Sequence, residues 1–385
     1  DNIANIDGEE WKRHRRMINP IFKRGWDINV FFNIGINLIQ HIQLNQTNKQ
    51  FDLLSTLKRA ALDSLGLSVF DVEFNYIENE TNEMARLYVK LINAMDNIWF
   101  YVLPVLNYLP ISSRLTLKKD AKRFRQLIQL MIDEKRQQLQ QVNIDDIQPN
   151  LLTTLVQASD NNTNDNGLTD EEIINDMIAF FIAGHDTTAH TISTILYYLS
   201  KNQDIQTKLR DEIYQIVGEK IKDSNKLHTI TQDEINQMIY LEAVISESMR
   251  ILPTVNMLPR KCTKDYYFEN EIYFKKGQPL MLNFALAMKG NAHFKNPEEF
   301  NPNRFLIVNE LGNLSINKKL TKELLGFGYG PRMCIGSQFS LLEQKVFLIL
   351  ILSTFNVELP ENSPHYDNPT LPALGFISPK DLKLN

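Results

Sequence analysis

The chain has 385 residues, of which 43% are hydrophobic and 23% are charged, and its formal net charge is −5. These values are ordinary for a folded globular protein, so they exclude a disordered chain and give no general attraction to nucleic acid. Its two cysteines, Cys262 and Cys334, exclude a disulfide framework and indicate a reducing compartment. The sequence contains no apolar run of about 18 residues or more, the length that spans a bilayer.

Helical periodicity dominates the first two thirds of the chain. Helices are predicted over 8–22 (stopped near Pro20), 29–46, 51–69, 83–96, 112–141, 168–200, 203–217 and 232–252. The sixth has the clearest start, because Thr169 is a good N-cap and acidic residues follow it. An apolar, aromatic stretch over 98–110 has three open interpretations: a lid, a membrane-touching surface or an ordinary connection packed on the core.

The residue pattern changes after position 252. Aromatic and β-branched residues alternate with turn residues between 253 and 290, which predicts short strands. Irregular coil is predicted for 296–333 and an apolar helix for 336–355. The chain is therefore interpreted as mainly α with small β-sheets, in a single domain over 1–385. Its helix-rich part comprises about 1–252 and 336–355, and its β- and coil-rich part comprises about 253–335 and 356–385.

A glycine-rich turn over 327–336, with the sequence FGYGPRMCIG, surrounds Cys334. Glycine lets the backbone approach a flat cofactor closely and point N–H groups at a sulfur ligand. A helix that begins directly after Cys334 is expected to stabilise the thiolate and lower the thiol pKa. Arg332 is placed to pair with a cofactor carboxylate. Taken alone, a turn of this kind is more often only a turn.

The long sixth helix contains the sequence Ala-Gly-His-Asp-Thr-Thr over 183–188. Gly184 costs about 1 kcal/mol relative to alanine, and threonine hydroxyls compete for backbone carbonyls. Either the threonines merely bend the helix, or a function offsets the cost. The spacing of His185 and His190 is poor for a single helix face, which favours core or solvent contacts over metal binding.

Two further pairs of residues have helical spacing. Glu247 and Arg250 are three apart and share a helix face, but surface pairs of this kind are common and contribute little to stability. Trp11 and Arg15 are four apart, so the indole N–H and the guanidinium can point the same way. Neither pair is specific by itself.

The turn matches the haem-binding signature of the cytochrome P-450 superfamily, Phe-x-x-Gly-x-Arg-x-Cys-x-Gly, at Phe327, Gly330, Arg332, Cys334 and Gly336. The other motifs follow in family order, so the chain resembles this superfamily over essentially its whole length. The resemblance implies the cytochrome P-450 fold, with haem b as the cofactor and Cys334 as the axial ligand of its iron. It also implies that the family's N-terminal anchor and most of its first β-sheet lie outside this sequence.

The resemblance implies roles for other residues that surround the haem. Asp186 and Thr187 would organise proton delivery where the long helix bulges over the cofactor. Trp11 and Arg15 match residues that bind the haem propionates, and Arg260 falls where the family has another propionate contact.

A structural network and a set of substrate contacts are also implied. Glu247 and Arg250 would join Arg304 in a buried network that supports the fold and takes no part in the chemistry. Several apolar residues would face a lipophilic substrate: Phe180, Phe181, Ala183, Val255, Met257, Leu258 and Leu374. Each of them is equally well interpreted as an ordinary core residue.

The implied function is a haem-thiolate monooxygenase that inserts one oxygen atom from O2 into a lipophilic substrate of the steroid, fatty-acid or xenobiotic class. Electrons would come from NADPH through a flavoprotein reductase, and the full-length protein would lie on the cytosolic face of the endoplasmic reticulum membrane. Two alternatives are a haem-thiolate isomerase or dehydratase that acts on peroxides, and an inactive haem-binding remnant. The intact pair of Asp186 and Thr187 favours the monooxygenase.

Overall fold

The computed structural model describes residues 1–45, 52–79, 81–95, 112–141, 150–160, 167–290, 294–309, 312–372 and 375–385. Two interpretations from the sequence fall outside these ranges: the apolar stretch over 98–110 and the substrate contact assigned to Leu374.

Helices make up most of the described chain, as predicted. They are α1 (Gly8–Lys23), α2 (Ile28–Asn45), α3 (Leu53–Leu65), α4 (Glu83–Met95), α5 (Ser112–Gln141), α6 (Leu151–Asp160), α7 (Asp170–Lys201), α8 (Gln203–Ile221), α9 (Gln232–Gln237), α10 (Ile239–Ile251), α11 (Phe284–Met288), α12 (Lys318–Thr321) and α13 (Ser337–Thr354). One π-helical turn, Gly66–Phe70, extends α3. Across the described ranges, no helix combines the length and apolar character needed to cross a membrane.

The strands form small antiparallel pairs in the last third of the chain. They are β1 (Met257–Lys261), β2 (Tyr266–Phe268), β3 (Ile272–Phe274), β4 (Pro279–Asn283), β5 (Leu306–Val308) and β6 (Leu314–Ile316). The pairs are β1 with β4, β2 with β3, and β5 with β6. The prediction of a mainly α fold with small sheets is therefore confirmed.

Some predicted boundaries were wrong because tertiary contacts override local signals. The helix predicted over 8–22 is confirmed as α1, although it continues through Pro20 to Lys23, because Ile21 and Phe22 are buried in the core and hold the last turn in place. The helix predicted over 232–252 is two helices that break at Met238. Glu212 of α8 accepts hydrogen bonds from two backbone N–H groups in the first turn of α10, at 2.7 and 2.8 Å, and so caps the second helix.

In two further segments the structure differs from the prediction made from composition. The segment 296–333 contains the β5–β6 hairpin, α12 and short 3₁₀ turns, so it is more regular than the predicted coil. No strand is assigned within 356–372 and 375–385, where Glu358 and Asn385 exchange two backbone hydrogen bonds. Several prolines interrupt this C-terminal part, and proline has no N–H to donate to a strand ladder.

Helix α7 is buried along much of its length and packs against α3. A capping box starts it, in which Thr169 Oγ1 accepts from the backbone N–H of Glu172 and the Glu172 carboxylate accepts from the N–H of Thr169. Gly184 lies at a close approach of the two helices, because a Cβ atom there would lie 2.7 Å from Leu65 Cδ1. Packing on Leu65 is therefore a structural reason for this glycine, besides the two explanations that the sequence left open.

Gly184→Ala is expected to lower the free energy of unfolding by up to about 2 kcal/mol. Overpacking of a core costs about 1–3 kcal/mol, from which the roughly 1 kcal/mol that alanine gains in helix propensity is subtracted. Leu65 is only 2% exposed, so it cannot swing into solvent to make room. Urea unfolding measures the effect. Gly218→Ala in α8 is the control, because the atom nearest its Cβ belongs to the partly exposed Tyr214, at 3.3 Å. An equal loss in both variants would contradict the packing argument.

Candidate functional site

The cysteine turn leads directly into α13. Gly328 and Gly330 have φ values of +74° and +75°, in the left-handed region that residues with a Cβ rarely adopt. The N–H of Cys334 donates to the carbonyl of Phe327 at 2.8 Å and closes the turn. Gly336 is the N-cap residue of α13. The glycines thus fix a backbone path that places Cys334 immediately before a helix N-terminus.

The environment of the Cys334 thiol contains opposing electrostatic effects. The residue as a whole is exposed, but desolvation by the protein atoms around its sulfur raises the thiol pKa. The N–H of Gly336 and the positive charge of Arg15 act in the opposite direction. Desolvation thus opposes the lowered thiol pKa that the sequence predicts. A bound metal ion would favour the thiolate form.

Basic side chains from distant parts of the chain converge on the cysteine turn. Arg15 of α1 donates to the carbonyl of Met333 at 3.0 Å. The Arg332 guanidinium lies 4.3 Å from the centre of the Trp11 ring and donates to Asp7 Oδ1 at 2.7 Å. The structure therefore brings Trp11, Arg15 and Arg332 together around the residue that precedes Cys334.

These arginines repel one another. Burial, together with the charge of Arg332, lowers the pKa of Arg15. Burial and the charge of Arg260 likewise lower the pKa of Arg332, against the opposing effect of Asp7. Arg260 itself donates to the carbonyl of the preceding residue at 2.9 Å. A soft thiol donor beside mutually repelling guanidiniums is chemically suited to an iron cofactor that carries carboxylates, so the residues present fit haem.

Asp186 lies on the α3 side of α7 and is 1% exposed. Lys58 Nζ of α3 is 2.8 Å from Asp186 Oδ1, and His185 Nε2 is 3.6 Å from the same oxygen. Burial alone would raise the pKa of Asp186, but the electrostatic effects of His185 and Lys58 outweigh it and lower the pKa. Asp186 is therefore a buried carboxylate that a partly exposed lysine links to the surface.

The two threonines next to Asp186 make different contacts. Thr187 Oγ1 donates to the carbonyl of Ala183 at 2.7 Å, and Thr188 Oγ1 lies 2.8 Å from Ser340 Oγ of α13. Helix α7 remains α-helical from Asp170 to Lys201, so the bulge implied by the family resemblance is not present over 183–188. Hydroxyl groups that bond carbonyls four residues earlier bend a helix without breaking it.

Two predicted substrate contacts are core residues. Phe180 stacks on Phe22 with ring centres 5.5 Å apart, and Phe181 stacks on Phe70 at 4.6 Å. The side chains of both residues are buried. This packing favours the core alternative for both residues.

The other described candidates for substrate contact are more accessible. Ala183 is exposed on α7, Val255 and Leu258 are half-buried, and Met257 is 45% exposed. Leu258 also packs against a small cluster of buried residues that includes Phe284. Ala183, Val255, Met257 and Leu258 therefore remain free to contact a small molecule.

Glu247, Arg250 and Arg304 form a buried network. Arg250 Nε is 2.7 Å from Glu247 Oε2, and Arg304 Nε is 2.9 Å from Glu247 Oε1. Glu247 and Arg250 are both 0% exposed, so this pair is not the surface pair that its spacing alone suggests. The same glutamate oxygen accepts from the backbone N–H of Asn301 at 2.9 Å. The network thus joins α10 to the loop that precedes β5.

Sequence reasoning missed Lys58, Tyr88 and Glu343. Tyr88 OH donates to the carbonyl of Phe181 at 3.0 Å and lies 3.2 Å from His185 Nδ1. His185 is therefore a core residue, as its spacing favoured. For Lys58 and Glu343 the sequence did contain a signal, namely a charged residue within an otherwise apolar helix. The two stretches are LLSTLKRAALDSL and SLLEQKVFLILIL.

Because Glu343 of α13 is buried, we expect the free energy of unfolding to depend on pH. Burial raises the pKa of Glu343 to about 8, although the Ser64 hydroxyl acts against it. The folded state thus binds this proton more tightly than the unfolded state, whose glutamate pKa is 4.5, so stability falls as pH rises from 4.5 towards 8. Relative to Glu343→Gln, the native chain should lose up to about 1.4 kcal/mol per pH unit. Urea unfolding of both proteins at several pH values tests this, and a difference that is independent of pH would contradict it.

Together, the fold and the site define a class of protein: a mainly helical enzyme with a haem-thiolate type of cysteine turn. The family model described as Cytochrome P450 matches residues 1–384. The chain therefore belongs to the cytochrome P450 family, and like its relatives it is an oxidoreductase of the monooxygenase type.

Individual relatives agree with this membership. Cytochrome P450 3A11 of Mus musculus is 29% identical over 364 residues, which are 91% of this chain and 68% of the mouse protein. Cytochrome P450 6a2 of Drosophila melanogaster is 26% identical over 374 residues, or 93% of this chain and 71% of the fly protein. The crystal structure of the cytochrome P450DA heme domain has a TM-score of 0.80 and 21% identity, and covers 100% of this chain and 79% of that one. The structural likeness shows the shared fold.

Proposed function

We propose that this chain binds haem through Cys334 and hydroxylates a lipophilic substrate with O2 and electrons delivered by an NADPH-dependent flavoprotein reductase. The observation that carries the proposal is the convergence of Arg15, Arg332 and Trp11 on the turn that presents Cys334. When bound, haem would supply the redox chemistry that activates O2 and transfers one oxygen atom to the substrate.

The cysteine turn would hold the cofactor from one side. The Cys334 sulfur would ligate the iron, and the N–H of Gly336 would stabilise the negative charge on that sulfur. Arg15, Arg332 and Arg260 would bind the cofactor's carboxylates, which would relieve the repulsion among these arginines. Phe327 and Gly330 would keep the turn in the required path.

Helix α7 would supply protons. Asp186 holds its carboxylate next to the ammonium of Lys58, whose side chain is 31% exposed and can exchange protons with water. Thr187, at the adjacent position of the helix, donates its hydroxyl proton to the carbonyl of Ala183 at 2.7 Å. We assign Asp186 to proton uptake from solvent through Lys58, and Thr187 to the hydroxyl that orients protons at the reacting oxygen.

Substrate would contact the apolar side chains that remain accessible. Ala183 on α7 and Val255, Met257 and Leu258 near β1 contribute no charged group, which suits a lipophilic molecule of the steroid, fatty-acid or xenobiotic class. For the full-length protein we propose attachment to the cytosolic face of the endoplasmic reticulum membrane, on the strength of the resemblance to microsomal members.

Turnover by the haem-loaded protein tests the proposed reaction. With a flavoprotein reductase and NADPH, we expect consumption of O2 and NADPH together with a hydroxylated product from a panel of steroids, fatty acids and drugs. Product formation from a hydroperoxide without reductase would instead support the isomerase or dehydratase alternative. Haem binding without any product would support the inactive haem-binding remnant, and failure to bind haem at all would contradict the proposal.

Asp186→Asn is expected to lower turnover by about 100-fold, because general acid–base groups contribute roughly 10²–10⁴ in rate. Asparagine keeps the size of the side chain but cannot exchange a proton at this position. The kinetic solvent isotope effect should increase if proton delivery becomes limiting. Asp211→Asn, an exposed residue of α8, is the control. A loss of turnover without any change in isotope effect would contradict the role in proton delivery.

A further inference from the structure

A second cluster of metal-binding residue types lies between α1 and the first turn of α7. Glu10, His14 and Glu172 each offer one ligand atom, and these atoms all lie within 4.8 Å of one another. Glu10 and His14 are four residues apart on α1, so their side chains share a face. This cluster uses none of the residues assigned to haem, substrate or proton delivery.

His14 is oriented as a metal-binding histidine is. The residue is 1% exposed, and its Nδ1 lies 2.6 Å from Asp176 Oδ2, while the other Asp176 oxygen accepts from the N–H of Ile3 at 2.7 Å. A carboxylate on one ring nitrogen fixes the tautomer and directs the other nitrogen at a metal ion. That other nitrogen, Nε2, is buried and makes no well-formed hydrogen bond, since Glu172 Oε1 lies 3.4 Å away.

The distance to Glu172 suits a shared metal ion better than a hydrogen bond. His14 Nε2 and Glu172 Oε1 are 3.4 Å apart. This is longer than a good N–H···O hydrogen bond, at about 2.7–3.2 Å. Two ligands of a tetrahedral zinc ion, each at about 2.0–2.2 Å from the metal, lie roughly 3.4 Å apart. The exposed Glu10 can approach from solvent as the third ligand.

The charges in the cluster also favour a cation. Glu10, Glu172 and Asp176 supply three carboxylates, whereas Arg13, which pairs with Glu172, supplies one positive charge. With a neutral imidazole the excess is two negative charges, which a divalent ion would neutralise. One nitrogen and two carboxylate oxygens are donors suited to zinc and similar divalent transition metals.

We propose that Glu10, His14 and Glu172 form a binding site for a divalent transition-metal ion, with zinc as the best-fitting member, and that Asp176 positions the histidine. The ion would link α1, which also carries Trp11 and Arg15, to the N-terminal turn of α7. Its role is structural and independent of the monooxygenase reaction.

Protons compete with the metal ion for His14. Burial of the imidazole disfavours its charged form, but the carboxylates of Asp176 and Glu172 outweigh that effect and raise the pKa of His14. Metal binding requires the neutral ring. Protonation of His14 and metal binding at its ring therefore exclude one another.

Calorimetric titration of the haem-loaded chain with zinc chloride tests the proposal. We expect one saturable zinc site whose affinity falls at least about tenfold in Glu10→Gln, since even residues that only orient a metal ligand contribute about 10–100-fold. Glu9→Gln is the matched control, because Glu9 is the exposed neighbour on the same helix and pairs with Lys12. Its zinc affinity should equal that of the native chain. Both substitutions are at exposed positions, so neither is expected to prevent folding.

X-ray absorption of the zinc-loaded protein gives an independent readout. We expect nitrogen and oxygen neighbours with imidazole scattering, which should be lost in His14→Gln. Absence of a saturable site, equal effects of Glu10→Gln and Glu9→Gln, or a sulfur neighbour at the zinc ion would each overturn the proposal.

Discussion

Glu247→Ala is expected to lower the free energy of unfolding by about 3–5 kcal/mol, because removal of one partner leaves a buried charge without compensation. Arg250 is 0% exposed and loses two hydrogen bonds to the glutamate, at 2.7 and 2.9 Å. Arg304 loses its 2.9 Å contact as well, and the N–H of Asn301 loses its acceptor. The loss of this many partners should also reduce the yield of folded protein.

Glu219→Ala is the matched control for this prediction. Glu219 and Lys222 have the same i,i+3 spacing and are 3.1 Å apart, but the side chains are 92% and 67% exposed. Exposed pairs contribute about 0–1 kcal/mol, so this variant should unfold almost as the native chain does. Urea unfolding of the two variants compares them directly. Equal destabilisation would show that burial does not set the strength of the network.

Cys334→Ala is expected to abolish monooxygenase turnover, with a loss well beyond the roughly 100-fold that follows removal of a residue which only supports a metal ligand. An alanine methyl group cannot donate electron density to iron. Because Arg15 and Arg332 would remain, some haem is expected to bind weakly without its sulfur ligand. Haem retention on gel filtration and product formation measure the two effects separately.

Cys262→Ala provides the comparison for the cysteine prediction. Cys262 follows β1, and its backbone N–H and carbonyl bond Gln278 and Gly277, at 2.9 and 2.7 Å, so the side chain is not needed to hold the strand. This variant should retain haem and activity. Loss of activity in Cys262→Ala, with Cys334→Ala still active, would refute the assignment of the ligand.

The sequence predicted most helices because their burial follows the local pattern of apolar residues. Predicted helix boundaries were wrong where a residue distant in sequence determines them. At Met238, for example, Glu212 of α8 caps the helix that follows. Pro20 was a valid local signal that core packing overrode. Helix propensity is a weak preference that tertiary contacts readily reverse.

The candidate site was predictable where one segment contains the whole pattern, as around Cys334. Its partners were harder to identify, because spacing does not report burial or the crossing of two helices. The Glu247 and Arg250 spacing is equally common on a surface, and only the fold shows both side chains at 0% exposure. Lys58 reaches Asp186 because α3 packs against α7, which no local pattern encodes. Gly184 marked a real constraint, but its close approach to Leu65 is visible only in the fold.

The ferrous carbon monoxide complex of the haem-loaded chain tests the central claim most directly. If Cys334 is the iron ligand, the native chain and Cys262→Ala will both show the strongly red-shifted Soret band of thiolate-ligated haem, and Cys334→Ala will lack it. A native spectrum typical of nitrogen-ligated haem, or a thiolate spectrum that persists in Cys334→Ala, would contradict the account.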